Sequence, residues 1–422
     1  MRTSRTLTLS AFALALALSA CSAPAAVPGS GQETAKETAA AGGSAIGDGH
    51  GAKAGASEVA EPQLHLLTVG QAGEVGMLDL ADETWRNAGT LPGTKSGTTD
   101  GRYIFASSPE QGTVTVLDSG VWTWDHEDHF HYYRSDPKTV GVITGQGKAV
   151  VTPGASATGV FFPETGKGVL LSNDGLAEGQ IRETAHLDAA PHQGMLVPLG
   201  DFALATVPGA GGKAQAVQAY DGEGSALDGA QAACADAQGT ITTRVGVVIG
   251  CADGALLATV ENGKVAFEHI PYPEGAGAGP ATVFRAREGR PTVAAVAGDQ
   301  GAWILDTRER SWQLIKTDVP LQQVAAVDDK EGHAVALSID GRILVLSAET
   351  GATLSSTEPL LAKTLSDPGL LASVELVADQ QRAYLNAPAE QKLYEIDFAD
   401  NARLARTFPT PSVPVVFART GR

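Results

Sequence analysis

The sequence predicts an all-β fold, a β-propeller of about eight four-stranded blades with seven as the runner-up. From about Pro62 onward, short alternating apolar runs bounded by glycine turns fill the chain, and helix-period patterning is nearly absent. One phrase recurs: a turn residue, alternating apolar residues, then an acidic or small residue. It reads Gly73-Glu74-Val75-Gly76-Met77-Leu78-Asp79, Gly112-Thr113-Val114-Thr115-Val116-Leu117-Asp118, Gly301-Ala302-Trp303-Ile304-Leu305-Asp306, Gly341-Arg342-Ile343-Leu344-Val345-Leu346-Ser347 and Lys392-Leu393-Tyr394-Glu395-Ile396-Asp397. Blurred copies lie at 168–172, 214–221 and 254–259. The copies recur about every 45 residues, the length of one four-stranded blade. The terminal run Val413-Pro414-Val415-Val416-Phe417 has no blade of its own. It is therefore expected to pair with Leu64 to Val69 and close the ring, which removes exposed strand edges.

Ahead of the propeller, expected over residues 62–422, the chain has two different segments. Residues 1–20 read as an export signal: Arg2 and Arg5, an apolar run from Leu7 to Leu18, then Leu18-Ser19-Ala20-Cys21. The run is too short to serve as a permanent span. Small residues leading into a cysteine resemble a bacterial lipobox, which implies cleavage before Cys21, lipidation there, and a mature protein tethered outside the cytoplasmic membrane. Residues 21–61 are mostly Ala, Gly, Ser, Thr and Glu, with little to bury, and read as a disordered tether.

Function concentrates in one stretch. Asp125-His126-Glu127-Asp128-His129-Phe130-His131-Tyr132-Tyr133 holds three of the nine histidines together with three carboxylates. Imidazole nitrogen with carboxylate oxygen makes a mixed ligand set suited to Zn²⁺. In an extended segment, side chains alternate between faces. Glu127, His129, His131 and Tyr133 would then share one side, with Phe130 and Tyr132 on the other. A helix would bring only His126 and His129 together. Trp122 and Trp124 read as packing residues. The interval from this blade to the next is the longest in the chain, as an insertion requires.

A second group, His186-Leu187-Asp188-Ala189-Ala190-Pro191-His192, runs into Gly194-Met195-Leu196-Val197-Pro198, the expected innermost strand of the fourth blade. His192 is expected near the axis, on the rim where the insertion folds. His65, His269 and His333 are assigned no role.

Cys234 and Cys251 remain once Cys21 is set aside. In an exported chain such a pair reads as a disulfide closing one hairpin. Two thiolates on zinc are the alternative, weakened by the absence of CxxC spacing. The formal charge of -18 argues against nucleic acid and against a polybasic membrane surface, and suits a cation.

Together the histidine stretch, Pro191-His192-Gln193-Gly194, and Cys234 with Cys251-Ala252-Asp253-Gly254 resemble the AztD-type zinc metallochaperones, envelope proteins that serve a zinc ABC importer. The resemblance covers the body from about Leu64 to Phe417. It implies a monomeric propeller that binds Zn²⁺ and passes it by contact to the importer's solute-binding protein, without catalysis. It implies His126, His129 and His131 as ligands, Asp128 as oxygen ligand or outer partner, His192 as channel-side partner, and His186 as a further metal residue. Gln238 departs from the family pattern, which has a histidine shortly after the first cysteine.

Two other classes remain open at this point. A zinc-dependent propeller hydrolase or lactonase would need an open coordination position and an activated water, but neither HExxH nor a nucleophile elbow occurs. An envelope interaction scaffold would leave the histidines incidental.

Overall fold

The computed structural model describes residues 55–125 and 129–421. Residues 1–54, 126–128 and 422 lie outside them, and with them fall the signal peptide, Cys21 and most of the expected tether.

Among the described residues are eight four-stranded antiparallel sheets and one three-stranded sheet. Each large sheet except the first two is built by consecutive strands of the chain. The third, for example, takes Val150–Pro153, Ala157–Phe162, Lys167–Ser172 and Glu183–Asp188 in order. The recurring phrase is the third strand of every one of the eight, from Glu74–Asp79 in the first sheet to Lys392–Asp397 in the eighth. It stands out in sequence because middle strands are covered on both faces: Gly301–Asp306 is buried from Gly301 to Leu305. Burial on both faces selects near-continuous apolar runs bounded by turns.

Packing follows the same order around a ring. One apolar cluster joins the first sheet to the second through Leu67, Met77, Ile104 and Leu117. Equivalent clusters join each later neighbour pair, ending with the seventh to the eighth and the eighth to the first. The last cluster brings Tyr384, Leu393 and Phe408 onto Leu66, Leu78 and Phe417. This is a β-propeller.

Closure occurs where the sequence placed it. Pro414–Thr420 pairs antiparallel with His65–Gly70, from His65 opposite Thr420 to Gly70 opposite Pro414. The first sheet therefore takes its inner strand from the far end of the chain. The disulfide also forms: Cys234, just past the strand that ends the fourth sheet, is bonded to Cys251 at the end of the second strand of the fifth.

Candidate metal centre

The second sheet carries the insertion. Its third strand, Thr113–Asp118, and its fourth, Lys138–Thr144, are separated by a hairpin of Val121–Asp125 with Phe130–Arg134. Asp118 fixes the point of departure. Its buried carboxylate accepts from Arg102 Nε at 3.1 Å and Nη2 at 2.7 Å and from the Gly120 N–H at 2.9 Å. Gly120 adopts φ +76°, and a Cβ there would lie 2.4 Å from the Ser135 carbonyl oxygen, so only glycine fits this tight entry.

An aromatic stack then holds the hairpin to the rim. The Arg102 guanidinium lies 3.7 Å from the centre of the Trp122 ring, and Trp122 stacks on Tyr133 at 5.3 Å. Trp122 is buried, as packing requires, whereas Trp124 is 46 % exposed. From Tyr133 the row continues to His131 at 6.3 Å, and from His131 to His129 at 4.6 Å. His129, His131 and Tyr133 thus share one face, as the period of an extended strand demands. Phe130 points the other way and is 55 % exposed. His126 and Asp128, expected to complete the ligand set, and Glu127 between them lie outside the described residues.

A third strand joins this hairpin. Ser57–Val59 pairs antiparallel with Phe130–Arg134, placing Glu58 opposite Tyr133. The Glu58 Oε1 accepts a hydrogen bond from His131 Nδ1 at 2.6 Å. The end of the expected tether is therefore a strand, and it delivers a carboxylate to the histidine face.

His192 is elsewhere. Strands in a sheet alternate direction, so the connection from third to fourth strand, which carries the insertion, lies at the same end as the turn from first to second. His192 is in the connection from the third sheet to the fourth, at the opposite end, where its N–H donates to Pro163 O at 3.1 Å. The expectation of a shared rim failed because it ignored this parity. The ring is buried and fully bonded: Nδ1 donates to Ala190 O at 2.8 Å, and Nε2 accepts from the Thr206 hydroxyl at 2.8 Å. His186 lies on the outer strand Glu183–Asp188, exposed and paired with Glu183 at 3.1 Å. Neither residue is gathered with His129 or His131 into a three-ligand group among the described residues.

The three-ligand group found among those residues is Asp329, Glu331 and His333, whose ligand atoms lie within 4.8 Å of one another. It occupies the first-to-second turn of the seventh sheet, the same end as the insertion. The Asp-x-Glu-x-His spacing was the sequence signal that could have flagged it. Asp100, in the corresponding turn of the second sheet, is half-buried. Burial, aided by the Glu288 charge, pushes its carboxyl up to about 6, against the pull of N–H bonds from Arg102 and Tyr103.

A ring of stacked sheets with a histidine-bearing hairpin on one rim defines the class: a β-propeller with a candidate metal centre outside its blades. No family model matches the chain. It is similar to the zinc chaperone AztD of Citrobacter koseri, with 23% identity over 317 residues, 72% of this chain and 74% of that protein. The structure of apo AztD from the same organism has a TM-score of 0.73 at 19% identity, covering 86% of this chain and 98% of that one. A further crystal structure of C. koseri AztD gives 0.72 at 20% identity, covering 85% and 97%.

Proposed function

We propose that this protein is an extracytoplasmic zinc chaperone, binding Zn²⁺ as cargo through its rim insertion and delivering it to the solute-binding protein of a zinc ABC importer. His126, His129 and His131 supply imidazole nitrogens, and Asp128 supplies an oxygen or an outer hydrogen bond. The observation that carries this reading is the placement of His129 and His131 on one face of the hairpin, ring centres 4.6 Å apart. Similarity to a zinc chaperone supports the same metal and the same non-catalytic role. His186 and His192 are left out of the ligand set because His186 stands exposed on the outer strand of the third sheet and His192 has both ring nitrogens engaged by Ala190 and Thr206.

Delivery requires a site that is tight yet open to an incoming ligand. A few ligands on a hairpin that stands outside the packed sheets can be exchanged one at a time, whereas a site buried between blades could not. Lipid on Cys21 would hold the monomer at the membrane surface where an importer collects its cargo.

Metal analysis of purified protein tests the reading. Wild type is expected to carry zinc in stoichiometric amount, and a His129→Ala/His131→Ala double variant to carry little. Equal zinc content in the two proteins would remove the insertion from any metal role.

A further inference from the structure

We infer that Glu58 is the positioning residue of the metal site, holding His131 in the tautomer that binds; the inference rests on the zinc reading of the insertion. A carboxylate can only accept, so the 2.6 Å contact between Glu58 Oε1 and His131 Nδ1 puts the proton on Nδ1 and leaves Nε2 as the ligating nitrogen. Histidine ligands of metals commonly donate their second N–H to a carboxylate, which fixes the ring and raises its basicity.

The alternative, a brace for the fold, is weak on magnitude. Glu58 is 47% exposed against 16% for His131, and an exposed ion pair contributes little to stability. The strand that carries Glu58 has only three residues, all paired with the hairpin, and lies at the edge of its sheet. What it adds is a charge aimed at one histidine. Cross-strand neighbours share a face, so placing Glu58 opposite Tyr133 brings its side chain to the His131 side of the hairpin. The segment leading from the expected tether is thereby built into the metal site.

The test uses the full chain. Zinc competition titrations compare wild type with Glu58→Gln, which keeps an acceptor but drops the charge, and Glu58→Leu, which drops both; His131→Ala is the reference. Amide exchange at Tyr132 and Arg134 reports whether the 57–59 strand stays docked, and the ¹⁵N spectrum of the His131 imidazole reports its tautomer. The expected order is wild type, then Gln, then Leu weaker by about tenfold to a hundredfold, with exchange unchanged and the Nδ1-protonated signal lost in Leu. Unchanged affinity in Leu, alongside lost affinity in His131→Ala, overturns the inference and leaves the metal reading standing. Weakened affinity accompanied by loss of strand protection also overturns it, assigning Glu58 a bracing role. Wild-type affinity in His131→Ala removes the metal reading and the inference together.

Discussion

Half-buried Asp100 and buried His192 lie near strand ends in environments that lead to separate predictions. The Asp100 carboxyl is raised from 3.8 to about 6, so the folded chain holds its proton more tightly than the unfolded chain does. Its contribution to stability is fully present below pH 3.8 and is lost as pH rises to about 6. Asp100→Asn keeps an acceptor for the Arg102 and Tyr103 N–H groups, so denaturant titrations between those limits are expected to show a flatter pH slope than wild type; an unchanged slope would contradict the assignment. His192→Ala leaves the Thr206 hydroxyl and the Ala190 carbonyl without their partner, at a cost of about 1–3 kcal/mol. Zinc content of that variant is expected to match wild type. At this scale the sequence was legible where a local period applied: His129 and His131 share a face because strand side chains alternate. It was not legible for His192, whose rim depends on counting strand ends, nor for Glu58, which lies 73 residues from its partner.

At the scale of elements, the insertion and the disulfide behave as separate units. Cys234 and Cys251 lie in the apolar cluster between the fourth and fifth sheets, so their bridge ties two blades together. Closing a loop of 17 residues constrains the unfolded chain by about 3 kcal/mol. A Cys234→Ser/Cys251→Ser variant should therefore be less stable by that order in denaturant titration, with zinc affinity unaltered; a loss of zinc with stability unchanged would favour thiolate ligation instead. An extended hairpin aligns His129 and His131 with the acidic Glu127 at strand period, whereas a helix would pair His126 with His129 and leave His131 stranded. The short strand 57–59 was not legible, since its polar sequence resembles the tether that precedes it and its structure comes from an edge offered elsewhere. Propensity is a weak guide where a partner strand supplies the hydrogen bonds.

For the whole molecule, the repeat and its closure were legible because both leave apolar runs that water would otherwise meet. Each third strand is buried between neighbours, and the terminal run had no partner other than the first sheet. Deleting residues 413–422 removes that sheet's inner strand and uncovers His65–Gly70, which is fully buried in the ring. The truncated chain is expected to lose its cooperative thermal transition and to self-associate through the open edge, as size-exclusion chromatography would register; a monomer with a wild-type melt would contradict ring closure as the source of stability. Net charge, at -18, restricts partners without identifying one. Delivery is tested by metal transfer. Zinc-loaded protein is mixed with the metal-free solute-binding protein of a zinc ABC importer, the two are separated, and the zinc in each is counted. Zinc is expected to move stoichiometrically to the recipient, and not to move from the His129→Ala/His131→Ala variant. Zinc that stays with the propeller, or that moves equally well from the variant, would contradict delivery.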